Sequence, residues 1–266
     1  MSADTLTTCL NLSGTFEGGQ GARYTLTTGN SDDQGISCGA LQFCAGQGSL
    51  QELLRRTLGG YPVANDQFAP LFALKDLSAP DAVAYAIAHW VDPTSPRKAL
   101  TREAKALWET LLAAPQCIQA QRSLAQEILT SALTEAAKFL PWRSDAMTHL
   151  RLAAFFFDVH TQQGSLSKHL PDGTHKPDVL AGPYQASPGR AVNYARQQGH
   201  TRVADAWNTA LASGDELCRV LLHYAYERAA LAKPQYMWDT LSRRGTIAAR
   251  QGQVHGAWFD LTKTLP

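Results

Sequence analysis

One stretch near the start of the chain decides the fold: residues 16–43, which read FEGGQGARYTLTTGNSDDQGISCGALQF. An apolar face with helical spacing precedes it, formed by Leu6, Cys9, Leu10, Ser13 and Phe16. That spacing predicts an amphipathic helix. Gly18 and Gly19 predict its end, because glycine readily adopts the left-handed conformation common after a helix.

The residues after this helix predict a β-hairpin. Residues 22–26 and 35–43 form its two predicted strands, and Thr28-Gly29-Asn30-Ser31 supplies turn chemistry between them. Beyond the hairpin, alanine- and leucine-rich amphipathic segments predict a helical chain. We therefore expect an α+β fold, mostly α, with two lobes around a cleft, and a single domain over residues 1–266 whose N-terminal lobe covers about residues 1–60.

Apolar periodicity and Pro-containing breaks place the later helices. The most apolar of them, residues 148–162, is predicted to be the central buried helix. A Gly- and Pro-containing loop is predicted over residues 164–188, and loops of this length are often functional. The other predicted helices cover residues 80–90, 97–113, 116–140, 189–198, 202–212, 215–232 and 234–250.

Composition excludes several functional classes. Lys and Arg number 24 against 23 Asp and Glu, so there is no overall nucleic-acid footprint. The apolar run 152–157 is far shorter than the roughly 18 residues of a membrane span. Residues 1–5 have neither a basic nor an apolar segment, so no signal peptide is expected. Five scattered cysteines predict buried free thiols and no zinc site, although Cys38 and Cys44 are close enough in sequence to form a disulfide.

Three carboxylates in the opening stretch form a candidate catalytic site. Glu17 lies in the last turn of the predicted helix, where the helix dipole disfavours the carboxylate and favours the protonated acid. Asp32 and Asp33 lie at the predicted hairpin tip. One acid and one base of this kind are what hydrolysis of a glycosidic bond requires. The alternative is a helix-end Glu and an ordinary solvated Asp-rich turn.

The same residues resemble the catalytic segment of the family 46 chitosanases and related muramidases of the lysozyme superfamily. Those chitosanases have a Glu at a helix end, then Asp-Gly-x-Gly-aromatic-Thr. The resemblance implies a lysozyme-like fold, with Glu17 as general acid, Asp32 as general base, and Ser37 holding the attacking water. Asp33 stands where the family has Gly, which leaves open whether Asp32 or Asp33 is the base. Ile36 replaces an aromatic residue, which weakens the case for chitosan as substrate.

A second part of the resemblance lies on the later helices. It implies that Asp158 and Arg228 form a buried charge network behind the catalytic acid, and a plain stabilising ion pair is the alternative. Substrate contacts are predicted for four side chains: Tyr24, Gln34, Gln42 and Arg243. For Arg243 a solvated basic face is the competing interpretation.

These features predict an inverting hydrolase of peptidoglycan that needs neither metal nor organic cofactor. Inversion requires the two carboxyl groups to lie about 6.5–9.5 Å apart. Chitosan, a polycation, is the alternative substrate and would favour a more acidic protein than one with a net charge of +1. A non-catalytic glycan-binding module is the alternative of another class. Action in the bacterial periplasm or cell wall would need holin release, as for an endolysin, or a secretion apparatus such as type VI, with an immunity protein or secretion component as partner.

Overall fold

The structure is a computed structural model that describes residues 3–18, 21–58, 66–168 and 186–265. It is mostly helical with two small antiparallel sheets, which confirms the predicted α+β, mostly α class. The chain forms two compact units. The first unit comprises Met1–Leu12 and Ile128–Pro266, and the second unit comprises Ser13–Glu127. The second unit therefore continues well beyond the predicted lobe boundary near residue 60.

The second unit carries the opening stretch. Helix α1 (Ala3–Gly18) ends where the sequence predicts, and its last residues belong to this unit. The sheet has three strands, β1 (Thr27–Thr28), β2 (Ser37–Cys38) and β3 (Phe43–Cys44), in the order β1-β2-β3. The following helices are α2 (Ser49–Leu58), α3 (Ala69–Phe72), α4 (Ala79–Trp90), α5 (Arg102–Ala113) and α6 (Pro115–Phe139), the last of which continues into the first unit.

The sheet differs from the predicted two-stranded hairpin. Residues 22–26 are not a strand, and the predicted strand 35–43 turns back at its middle. Gly39 has a φ of 77° and Gln42 a φ of 51°, and the Gln42 amide donates to the Gly39 carbonyl at 3.1 Å. This turn separates β2 from β3, so Ser37 pairs with Thr28 on one side and with Cys44 on the other.

The core of the second unit is built from the apolar faces of its helices. Leu50, Leu53 and Leu54 of α2 are fully buried. Trp90 at the end of α4 packs edge-on against Trp108 of α5, with ring centroids 5.3 Å apart. The sheet rests on this core because the side chains of β2 and β3 are buried.

The first unit contains the end of α6, the predicted central helix and the C-terminal elements. These are α7 (Leu150–Gln163), α8 (Ala186–Gln197), α9 (Thr201–Ala212), α10 (Glu216–Ala230), α11 (Pro234–Ala249), β4 (Gln251–Val254) and β5 (Ala257–Asp260). Residues 151–159 of α7 are all buried, which confirms it as a central helix. Residues 240–249 of α11 are also all buried.

The first unit differs from the sequence prediction in its loop and in its last two strands. The predicted loop 164–188 falls largely outside the described residues, and α8 already begins at Ala186. The hairpin of β4 and β5 was not predicted. His255 and Gly256 join its strands with φ values of 49° and 84°, the conformation of a two-residue hairpin turn.

All five cysteines are free and buried, so the structure contains no Cys38–Cys44 disulfide. Burial raises the pKa of the Cys9 and Cys218 thiols to about 12. Within the described ranges, no helix is both long enough and apolar enough to cross a bilayer.

Candidate active site

Glu17 is held at the end of α1 by its neighbours. The Gln42 side-chain amide donates a hydrogen bond to the Glu17 carboxylate, with 3.2 Å between Nε2 and Oε2. One turn earlier, a Cβ on Gly14 would lie 2.0 Å from the Gly21 carbonyl oxygen, so only glycine lets the chain fold back here. The Gly21 amide also donates to the Thr15 hydroxyl at 3.1 Å. The helix end is therefore fixed, and Glu17 stays partly exposed.

The loop that carries the two aspartates is anchored by one buried side chain, Asn30. The Asn30 Oδ1 accepts a hydrogen bond from the Gly35 backbone amide at 2.6 Å. The backbone amide of Asn30 donates to the Lys98 carbonyl at 2.9 Å. Asn30 is only 3% exposed. A Cβ on Gly29 would lie 2.1 Å from the same Lys98 carbonyl, so the approach requires glycine. These contacts fix both ends of the loop.

Asp32 and Asp33 are both exposed but have different partners. The Asp32 carboxylate accepts a hydrogen bond from the Gln34 amide at 3.2 Å, as in an Asx turn. Asp33 adopts a φ of 62° and forms an ion pair with Lys98. Within the described part of the chain Asp32 has no ion pair. The two aspartates are therefore not equivalent, because only Asp33 has its charge balanced by a neighbouring cation.

Ser37 lies on the central strand of the sheet and is 8% exposed. Its carbonyl accepts a hydrogen bond from the Thr28 hydroxyl at 3.3 Å. Its own hydroxyl forms no hydrogen bond to any residue in the described ranges. The hydroxyl is thus available to bind a water molecule.

The predicted substrate contacts of the second unit have structural partners of their own. The Tyr24 hydroxyl accepts from Arg122 at 3.0 Å. The Gln34 carbonyl accepts from the Gly46 amide at 2.9 Å, and the Gln42 side chain is bonded to Glu17. All three predicted residues are partly buried, and of these described contacts the one from Gln42 reaches the catalytic candidate Glu17.

Sequence reasoning missed Gln121, a buried residue of α6. Its Nε2 donates to the Tyr24 carbonyl at 3.1 Å, and its Oε1 accepts from the Ala40 amide at 2.9 Å. Gln121 therefore fastens the segment before β1 and the turn after β2 to the same helix. The sequence offers one indication of this role, since Gln121 is a polar residue close to Cys117 and Ala120 on the buried face of α6.

The charge network on α7 differs from the prediction. Asp158 Oδ1 accepts hydrogen bonds from the Arg243 guanidinium at 2.7 Å and 3.1 Å, and Arg244 Nε lies 3.6 Å from Oδ2. Arg228 is buried but forms no ion pair with Asp158. A direct ion pair of Asp158 with Arg228 is therefore not what the structure shows, because α11 packs on α7 and presents its two adjacent arginines to the aspartate. The role of the network behind the catalytic acid stays a prediction.

Arg243 is also not a surface residue. It is 3% exposed and Arg244 is 1% exposed, so the interpretation as a solvated basic face is wrong. The prediction of Arg243 as a substrate contact stays a prediction; in the structure its guanidinium is bonded to Asp158. Burial lowers the pKa of Arg244 to about 10, although the charge of Asp158 opposes the change. Burial also lowers the pKa of Arg228.

The described ranges hold no group of three or more His, Cys, Asp or Glu side chains that could bind a metal ion.

Comparison with known proteins identifies the fold. No family model matches the chain, and no curated protein matches it in sequence. The family 46 chitosanase of Gynuella sunshinyii, solved with chitotetraose, matches with a TM-score of 0.57 and 15% identity over 98% of each chain. The chain has the fold of these chitosanases. This confirms the predicted lysozyme-like fold.

Two further structures match in the same way. The native chitosanase of Bacillus subtilis MY002 matches with a TM-score of 0.53 and 15% identity over 93% of this chain and 88% of that one. A variant of it in complex with 6 GlcN gives 0.54 and 14% over 96% and 97%. At this level of identity the likeness is one of fold.

Proposed function

We propose that the protein is a glycoside hydrolase that cleaves an amino-sugar polymer by an inverting mechanism, with Glu17 as acid and Asp32 as base. The observation that supports this most is the difference between Asp32 and Asp33. Asp32 is exposed without an ion pair in the described residues, whereas Asp33 is paired with Lys98. A carboxylate that must accept a proton from water is better served by the unpaired position.

In the proposed reaction Glu17 gives its proton to the glycosidic oxygen as the bond to the anomeric carbon breaks. Asp32 takes a proton from a water molecule that attacks the anomeric carbon from the opposite face. The Ser37 hydroxyl holds this water, and the Gln42 amide orients Glu17. The product is a sugar with inverted anomeric configuration, and Glu17 ends deprotonated while Asp32 ends protonated.

Peptidoglycan is the substrate that we favour. The net charge is +1, and the acidity of the loop is partly offset because Lys98 neutralises Asp33. A strongly acidic surface would attract polycationic chitosan, whereas a balanced one accepts a neutral or anionic glycan. Acting on the cell wall would require delivery through holin release or a secretion apparatus, and an immunity protein would then be a partner.

Chitosan is the second candidate because the matching structures are chitosanases, two of them solved with glucosamine oligomers. A non-catalytic glycan-binding module is the third. It would retain the fold and the glycan contacts but would not need the carboxyl group of Glu17.

Digestion of purified sacculi and of chitosan, run in parallel with product mass spectrometry, tests these candidates. Wild type is compared with Glu17→Gln and with Glu103→Gln, a control that removes an exposed carboxylate of α5 in the same unit. We expect wild type and Glu103→Gln to release muropeptides and Glu17→Gln to release none. Equal clearing by Glu17→Gln would disprove the mechanism, and binding to sacculi without clearing by any protein would favour the module.

Product stereochemistry tests the mechanism separately. Proton NMR of fresh digests should show that the new reducing end has the anomeric configuration opposite to that of the cleaved glycosidic bond. Retention of configuration would instead require a covalent intermediate and closer carboxyl groups.

A further inference from the structure

A cavity of about 370 Å³ opens in the first unit, at the junction of α10 and α11. Its lining includes Arg228 from α10, Arg243 and Arg244 from α11, and Lys233 from the connection between the helices. Among the described residues of the lining, Asp239 is the one carboxylate. Three arginines beside this cavity are buried, although charged side chains are mostly exposed in proteins.

Two arginines of this cavity have a hydrogen-bond donor without an acceptor in the described part of the chain. Among the described residues, Arg228 Nε and Arg244 Nε are buried and have no hydrogen-bond acceptor. The distance of 3.6 Å from Arg244 Nε to Asp158 allows an ion pair but is too long for a hydrogen bond. An unused buried donor on a charged group is costly. A ligand with acceptor oxygens would remove that cost.

The described lining of the cavity is rich in cations. It holds Arg228, Lys233, Arg243 and Arg244, with Asp239 as the carboxylate among the described residues. Burial, together with the nearby charges of Arg243 and Arg228, lowers the pKa of Arg244 to about 10, which still leaves it charged at neutral pH. Among the described residues, the lining is therefore predominantly positive.

The rim of the cavity is apolar. Tyr236 is 57% exposed and Leu231 is 56% exposed, and both residues line the opening. An exposed tyrosine ring offers a flat surface to a sugar ring or another apolar group. A ligand that combines an oxyanion with such a group would use both parts of the site.

We infer that this cavity binds an oxyanion, most favourably the carboxylate of an organic ligand whose ring packs on Tyr236. The guanidinium groups of Arg228 and Arg244 would bind the oxygens, since the planar fork of arginine matches both carboxylate and phosphate. A muramyl peptide and free inorganic phosphate are two sources of this chemistry. Binding here involves no bond cleavage, so it stands or falls separately from the proposed hydrolase activity.

Isothermal titration of the full chain with muramyl dipeptide, inorganic phosphate and uncharged diacetylchitobiose tests the inference. The variants are Arg228→Gln, Tyr236→Ala and the control Arg219→Gln, which removes an exposed arginine from the same helix. We expect Arg228→Gln to weaken anion binding about 10- to 100-fold, as for the loss of charge-assisted hydrogen bonds. Arg219→Gln should stay within about twofold of wild type, and diacetylchitobiose should bind too weakly to detect.

The two sources are separated by Tyr236→Ala. If the organic carboxylate is the ligand, this variant weakens muramyl dipeptide binding and leaves phosphate binding unchanged. If phosphate binds wild type as tightly as muramyl dipeptide and Tyr236→Ala changes neither, a free anion is the ligand and the role assigned to Tyr236 is overturned.

Two controls keep the test decisive. Arg228 Nε has no partner to lose, so Arg228→Gln should melt no lower than wild type without anion and should gain less stability when anion is added. In ¹⁵N-labelled wild type, the arginine Nε–H signals should shift on addition of either anion. Absence of binding by wild type, or equal binding by Arg228→Gln and wild type, would overturn the inference.

Discussion

Asp32 and Asp158 are aspartates in opposite surroundings. Asp32 lies on an exposed loop of the second unit, with one backbone amide as its hydrogen-bond partner. Asp158 lies inside the first unit, bound by Arg243 and approached by Arg244. The first arrangement leaves a carboxylate open to water, whereas the second encloses it between two guanidinium groups. Burial and cation count, rather than residue type, therefore indicate which carboxylates suit chemistry and which suit structure.

The largest expected effect is on the rate of hydrolysis, which should distinguish Asp32 from its neighbour Asp33. Asp32→Asn should lower glycan hydrolysis by about 10²- to 10⁴-fold, the usual contribution of a general base. Asp33→Asn should lower it less than about threefold, because Lys98 already balances that charge. Initial rates of reducing-end release measure both. A greater loss in Asp33→Asn than in Asp32→Asn would assign the base to Asp33.

The next effect concerns the buried aspartate. Asp158→Asn would leave Arg243 and Arg244 buried without their carboxylate, which costs about 3–5 kcal/mol of stability when one partner of a buried pair is removed. Urea denaturation followed by circular dichroism measures the loss. The control Asp205→Asn removes an exposed partner of Arg196 and should cost less than about 1 kcal/mol. Similar midpoints for the two variants would remove the distinction between buried and exposed aspartates.

Glu135, a carboxylate of the first unit, extends the comparison because its contribution to stability depends on pH. Burial raises the pKa of Glu135, but hydrogen bonds from His160, Ser167 and the Leu166 amide outweigh it and lower the pKa to about 2. Because the folded value lies below the unfolded one, this stability is complete above pH of about 4.5 and is lost as the pH falls toward about 2. The loss is on the order of 3 kcal/mol.

Urea midpoints measured from pH 6 to pH 2 test this. Glu135→Gln should be less stable at pH 6, and its midpoint should depend less on pH below about 4.5. A wild-type profile parallel to that of Glu135→Gln would contradict the assignment.

The smallest effect concerns the support of the exposed loop. Asn30→Ala removes the acceptor of the Gly35 amide and should cost about 1–3 kcal/mol, since it leaves a buried donor unsatisfied. Activity should fall further than stability explains, because the loop positions Asp32. Comparing rates with unfolding midpoints for Asn30→Ala and Ser31→Ala, an exposed neighbour, separates the two effects.

The sequence predicted the helices well because their apolar periodicity is local. It also predicted that α1 ends beside Glu17, since Gly18 and Gly19 mark that end. It predicted the sheet less well: a glycine with positive φ, Gly39, splits one predicted strand into β2 and β3. The hairpin of β4 and β5 was missed, although His255-Gly256 is a suitable turn.

The contacts that join distant segments could not be predicted from one sequence. Arg243 lies 85 residues from Asp158, and adjacent arginines on a helix look like a solvated face until the packing of α11 is known. The same holds for Gln121, whose partners Tyr24 and Ala40 lie 97 and 81 residues away. Spacing along the chain gives the chemistry of a side chain, while the tertiary fold decides its partner.

The division of the chain into units has a consequence for its synthesis on the ribosome. Ser13–Glu127 is one continuous segment, whereas the first unit combines Met1–Leu12 with Ile128–Pro266. A continuous segment can complete its contacts as soon as it has emerged. Glu17, Asp32 and Ser37 can therefore take their places while translation continues. The partners of Asp158 are made last, because Arg243 and Arg244 emerge only near the end of the chain.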